Sequence, residues 1–182
     1  MEKVFVFLAD GFEEIEGLTV VDVLRRADVD LTTVSITGER MIHGAHQINV
    51  EADCLFEEVD FSEGSMLVLP GGMPGTLNLK AHEGLRKLML QYFENGRHLA
   101  AICAAPSILS DLELLEGKRD CAYPSFEENL ACGVVAEEPV VTDGTITTGR
   151  GMGVAIPFAL ELVKILASKE KAENLAKEII YS

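Results

Sequence analysis

The feature that most constrains this chain is a succession of short apolar runs, each too brief for an independent helix and most followed by a helix-like segment. The first, "KVFVFLA" (residues 3–9), is continuously apolar, β-branched and aromatic, as expected of a parallel strand buried on both faces. "LTTVSI" reads as a second strand, and "SMLVLPGG" as a core strand stopped by Pro70 and two glycines. "HLAAI" and "DGTITTG" read as further strands, the last entered through an Asp-Gly turn. The stretch from Met41 to Val50, broken by Gly44, reads as a short hairpin or edge pair.

The segments between these runs carry helical periodicity. "IEGLTVVDVLRRA" places Ile15, Leu18, Thr19, Asp22, Val23 and Arg26 at helical offsets, with Leu24 and Ala27 extending the apolar side. "EGLRKLMLQYFEN" is amphipathic through Leu85, Leu88, Met89, Tyr92 and Phe93, and ends at Asn95 and Gly96. "SILSDLELL" continues as helix, and "VAIPFALELVKILASKEKAENLAKEIIY" is helical, its first turn accommodating Pro157. Strands alternating with helices predict an α/β fold with a doubly wound, mostly parallel sheet. With 182 residues and no repeat, low-complexity segment or linker, one domain over 1–182 is expected.

Composition removes several classes of function. No apolar stretch approaches the ~18 residues of a membrane span, so the expectation is a soluble protein without a membrane partner. "MEKVFVFLADGFEE" turns acidic at once and lacks a small-residue cleavage site, unlike a signal peptide. Four scattered cysteines (Cys54, Cys103, Cys121, Cys132) form no C-x-x-C pair, so free thiols in a reducing cytoplasm are expected. A formal net charge of -15 repels phosphate backbones, and nucleic acid is excluded as a partner.

In open α/β sheets, ligands bind outside the carboxyl ends of strands. Three such ends carry chemistry here: "ADGFEEIEG", "LPGGMPG" and "CAAP". Cys103 stands where "HLAAI" gives way to two alanines and Pro106, a setting similar to a strand-to-helix nucleophile elbow. The strict G-x-S-x-G pattern is absent, with Ala101 and Ala105 at the glycine positions. Cysteine is also a common small buried hydrophobe. From the residues alone, spacer and nucleophile both stand for Cys103.

A nucleophilic thiol needs a base or a lowered pKa. His43, His46, His82 and His98 all precede Cys103, and none has the carboxylate spacing of a class I glutaminase triad. The search therefore turns to "EEIE". Glu13 and Glu14 suit helix capping, whereas Glu16 lies deeper in the helix, where it can face the crevice. A carboxyl beside a thiol shares one proton with it and can act as general acid and base. "PGGMPG" can direct N–H groups of Gly72 or Met73 at a ligand. "TTGRGMG" does not match G-x-G-x-x-G and has no Walker lysine; it reads as a turn with Arg150 as polar support.

The ordered set "FLADGFEEIE", "VVDVLRRA", "LVLPGGMPG", "AAICAAP" and "TTGRG" resembles the ThiJ/PfpI superfamily, in its Parkinson-disease-protein and protein-deglycase branch, over essentially the whole chain. The resemblance implies a flavodoxin-like α/β sandwich, a homodimer, and a reactive cysteine at Cys103 that accepts a hydrogen bond from Glu16. It places Gly72 and Ala104 at the oxyanion pocket and makes Asp22, Arg26 and Arg150 supporting polar residues. The peptidase branch carries histidine where Ala104 stands, so a Cys-His peptidase is disfavoured. Another family position that can hold histidine is Tyr123 here, a substrate hydrogen-bond donor but a poor base near neutrality.

The implied activity is a glyoxalase III-like lyase or deglycase-like hydrolase. It acts on a small carbonyl substrate such as methylglyoxal, or its adducts, with no metal or other cofactor. The alternative is a redox-responsive stress or chaperone-like dimer whose Cys103 is oxidised. A thiazole-biosynthesis role finds no separate motif. The first helix and residues 41–50 are candidate dimer contacts.

Overall fold

A computed structural model describes residues 2–181. The chain runs β1 (Lys3–Leu8), α1 (Glu14–Arg26), β2 (Asp30–Ser35), β3 (Met41–His43), β4 (Asn49–Glu51) and β5 (Cys54–Leu55). It continues through β6 (Met66–Leu69), α2 (Gly75–Ala81), α3 (Glu83–Glu94), β7 (His98–Ile102), α4 (Pro106–Asp111) and β8 (Arg119–Asp120). It closes with α5 (Pro124–Glu127), β9 (Val134–Val135), β10 (Val140–Asp143), β11 (Ile146–Gly149), α6 (Ala155–Leu166) and α7 (Lys169–Glu178).

The main sheet has the order β10-β11-β7-β6-β1-β2-β5. Its strands pair in parallel except at the edge, where β10 runs antiparallel to β11. The expected doubly wound α/β sandwich is the fold observed. Alternation along β1 divides the core: Val4, Val6 and Leu8 pack with α1, α6 and α7, whereas Phe5 and Phe7 face α2, α3 and α4. Each fully buried side chain of this size contributes ~1.5–3 kcal/mol. The chain leaves β1 for β2 on one side and reaches β6 on the other, so the crevice beyond the β1 and β6 ends is the topological switch point.

Several elements differ from the sequence expectation. The C-terminal stretch is two helices, because Ala167 leaves helical geometry and the Ser168 side chain caps α7 by accepting the Lys171 N–H. "SILSDLELL" is helical only to Asp111; Leu112 ends α4 and Glu113 adopts φ 61°. Residues 41–50 do form a hairpin, β3 with β4. The face of α1 that enters the core is Gly17, Val20, Val21, Val23 and Leu24. Ile15, Leu18, Thr19, Asp22 and Arg26 instead line an outer groove of about 600 Å³ with Ile48, Ile156 and Ile179. Among the described residues no helix is long and apolar enough to cross a membrane.

Candidate active site

The site is assembled from three strand ends. After β7 the chain turns sharply at Cys103, whose φ of 66° lies in the left-handed region. That geometry is rare for a residue with a Cβ and marks a position held by its surroundings. The surroundings are visible: the Cys103 N–H donates to Gly149 O at 2.8 Å, and its carbonyl accepts the Tyr123 N–H at 2.8 Å. Pro106 then opens α4 at its first turn, where the missing N–H costs nothing. The sequence thus builds an elbow without the glycines of the usual pattern, using Ala104 and Ala105, both buried.

Glu16 reaches this elbow from α1. It is 1% exposed, and its Oε2 accepts the Gly71 N–H at 2.8 Å. Its carboxyl stands beside the elbow, since the position a Cβ on Gly71 would take is 2.7 Å from both Glu16 Oε2 and Cys103 Cβ. The carboxyl, the thiol and the backbone N–H groups of Ala104 and Gly72 are near enough to shift one another's hold on protons. Oε1 is buried and has no hydrogen-bond partner among the described residues. Gly72 takes φ 91°, and a Cβ there would lie 2.3 Å from Glu13 N, so only glycine presents its N–H in this way.

Burial pushes the Glu16 carboxyl up to about 7, against the nearby Cys103 thiol and the hydrogen bond from Gly71. Burial, then the Glu16 charge, pushes the Cys103 thiol up to about 12, while the Ala104 and Gly72 N–H groups pull it down. Two negative charges in one buried site are disfavoured. The pair therefore loses its first proton near neutrality and keeps the second, shared between carboxyl and sulfur. With that proton on Glu16, the sulfur is a thiolate beside three donors.

The other expected residues fall into place differently. Tyr123 touches the site through its backbone, and its side chain stands half exposed at the mouth. Met73 is exposed. Asp22 and Arg26 pair with each other at 2.6 Å on the outer face of α1, not at the thiol. Arg150 is engaged by Glu127 at 3.1 Å. Glu13 caps α1, accepting the Ile15 N–H. Glu14 does more than cap: it is buried and accepts the His46 N–H at 2.6 Å, which ties α1 to the β3–β4 connection.

The histidines are occupied elsewhere. His43 pairs with Asn49, His46 with Glu14, and His82 caps α3, while His98 opens β7 at the end opposite Cys103. Sequence reading missed Gly71, the direct partner of Glu16, although the double glycine after β6 carried the signal. It also missed Gly151, where an added Cβ would lie 4.0 Å from Cys103 Sγ and 3.5 Å from the Tyr123 ring. Glycine there leaves the approach to the sulfur open.

Fold and site put the chain among the α/β sandwich proteins organised around an elbow cysteine. Residues 2–165 match the DJ-1/PfpI family model, and the chain belongs to that family. It is similar to protein DJ-1 homolog B of Arabidopsis thaliana, at 37% identity over 98% of this chain and 41% of the plant protein. The chain thus spans less than half the length of that relative. A protein of Pyrococcus abyssi named as a deglycase is 32% identical over 90% of this chain and 99% of its own length. The structure of oxidized Toxoplasma gondii DJ-1 superposes with a TM-score of 0.96 at 32% identity, covering 100% of both chains.

Proposed function

We propose that this chain is a cysteine-dependent enzyme that works without metal or other cofactor on small 2-oxoaldehydes such as methylglyoxal, or on their adducts. The reaction is of the glyoxalase or deglycase kind. The observation that carries this reading is the buried Glu16 carboxyl set against Cys103, with two backbone N–H groups beside the same sulfur. The name of the archaeal relative, a deglycase, supports the deglycase kind of reaction. Residues 1–182 act as one catalytic domain.

The Cys103 thiolate attacks the aldehyde carbon, forming an S–C bond while the carbonyl electrons move to oxygen. Glu16 supplies the proton that makes the hemithioacetal hydroxyl, and the Gly72 and Ala104 N–H groups stabilise the oxygen charge. As a carboxylate, Glu16 then removes the proton from that carbon, giving an enediolate with its negative charge on the neighbouring oxygen. It returns the proton to the neighbouring carbon as the oxygens exchange theirs, leaving a thioester of the 2-hydroxy acid. Water cleaves the thioester, so methylglyoxal plus water becomes lactate and the thiol is regenerated. Tyr123 donates a hydrogen bond to substrate at the mouth.

The test is steady-state conversion of methylglyoxal by the wild type, Cys103→Ala and Glu16→Ala, with buffer thiols and metals controlled. Both variants are expected to lose turnover. Equal turnover in all three would remove the enzyme reading.

A second reading uses the same thiolate: peroxide oxidises Cys103 to a sulfinate that hydrogen-bonds with protonated Glu16. The oxidized state of the similar Toxoplasma protein favours it. Mild peroxide should then add two oxygens selectively at Cys103, and oxidation confined to Cys54 or Cys132 would count against it. Both readings suit a cytoplasmic homodimer, with the outer groove of α1 and the nearby Ile48 as the self-contact.

A further inference from the structure

The cavity beside the thiol carries a charge that the proposed reaction does not use. It has a volume of about 410 Å³, and Tyr123, Pro139, Met152 and Gly151 form much of its wall. Gly151 is also where the cavity approaches Cys103 Sγ. Two charged residues line it, Glu137 and Arg150. Arg150 donates from Nε and Nη2 to Glu127 Oε1, each at 3.1 Å, so that pair is electrically neutral. No cation among the described residues forms an ion pair with Glu137, which stands exposed at the rim.

Deeper in, the charge has the same sign. The Cys103 and Glu16 pair holds one negative charge once it has lost its first proton, and Glu13 adds its field to Glu16. An anionic group entering past Glu137 meets repulsion at each stage, with no free cation in the lining to offset it. A neutral or cationic group does not.

We propose that Glu137 is a specificity-determining residue: it makes the mouth of the Cys103 site reject carbonyl compounds bearing an anionic group and admit neutral or cationic ones. The substrate class rests on the function proposed above. The charge filter does not, because it acts on anything that approaches the sulfur.

The experiment therefore uses thiol reagents as well as substrate. Two methanethiosulfonates of similar size, one ending in a trimethylammonium group and one in a sulfonate, are reacted with the wild type, Glu137→Gln and Glu137→Lys at low ionic strength. Labelling at Cys103 and Cys54 is quantified by peptide mass spectrometry. The cationic-to-anionic rate ratio at Cys103 is expected to fall about threefold to tenfold in Glu137→Gln, and further in Glu137→Lys. The ratio at Cys54 stays constant, and raised salt shrinks the difference.

Methylglyoxal, which is neutral, should be turned over equally by wild type and Glu137→Gln, while reversible inhibition by glyoxylate, an anionic aldehyde that forms the hemithioacetal and goes no further, strengthens in the variant. An unchanged labelling ratio at Cys103 in both variants would overturn the proposal. Absence of methylglyoxal turnover in the wild type would instead overturn the enzyme reading, and the labelling ratio would still decide the role of Glu137.

Discussion

The Gly71 N–H holds Glu16 Oε2 at 2.8 Å, and the same glycine packs against the elbow. A Cβ on Gly71 would lie 2.7 Å from both Cys103 Cβ and Glu16 Oε2, and 2.9 Å from Ile102 O. None of these neighbours can yield freely, since the first two are the reacting pair and the third is backbone. Gly71→Ala should lower methylglyoxal turnover by about tenfold to a hundredfold through misplacement and destabilise the fold by about 1–3 kcal/mol. Steady-state kinetics and denaturant unfolding check the two effects separately.

The shared proton sets a pH dependence. The reactive form is the pair holding one proton, and it fills as pH rises through the Glu16 value of about 7. Both kcat/KM for methylglyoxal and the iodoacetamide rate at Cys103 should rise across that value. They should then level off, because the second proton is held far more tightly. A rate independent of pH from about 5 to about 9 would contradict the shared-proton state.

Asp120 offers a stability test away from the thiol. It is fully buried, and neither carboxyl oxygen has a hydrogen-bond partner among the described residues. Burial, then the Asp143 charge, pushes it up to about 7, against Lys118 and Thr148. A raised folded value means its contribution to stability is complete below the unfolded value of 3.8 and is lost as pH rises through about 7. Asp120→Asn should therefore be more stable than wild type by about 1–3 kcal/mol above neutrality, the gain fading toward about pH 4. Urea unfolding at two pH values measures it.

The outer face of α1 makes a prediction about assembly. Ile15 and Ile48 are 50% and 52% exposed around a groove of about 600 Å³, and the proposed homodimer would cover them. Ile15→Glu should shift the sedimentation profile from dimer toward monomer while leaving the unfolding transition of the monomer cooperative. A wild type that sediments as a monomer at micromolar concentration would remove the dimer.

Much of this architecture was legible in local pattern. The continuous apolar runs of β1, β6 and β7 and the periodicity of α3 required no tertiary information. The strand-end place of Cys103 left spacer and nucleophile both open, the placement of the histidines pointed to the Glu13–Glu16 cluster instead, and the family resemblance singled out Cys103 with Glu16. The break between α6 and α7 was hidden because "LASKEK" contains only tolerable helix formers; Ser168 acts as a cap that tertiary packing selects. α2 was missed because Pro74 and Gly75 look like the continuation of a turn. On α1, the apolar offsets of Ile15 and Leu18 suggested a core face, yet the sheet takes the side bearing Gly17, Val20 and Leu24. The orphaned carboxyl of Asp120 and the rim position of Glu137 depend on neighbours distant in sequence, and no local pattern encodes them.

The central claim is that Glu16 moves protons for a reaction begun by Cys103. Its most direct test compares lactate formation from methylglyoxal with iodoacetamide alkylation of Cys103, in the wild type and in Glu16→Gln. Loss of the proton carrier should cut lactate formation by about a hundredfold or more while alkylation changes less than about tenfold. Lactate formation that survives, or that falls only in step with alkylation, would contradict the account.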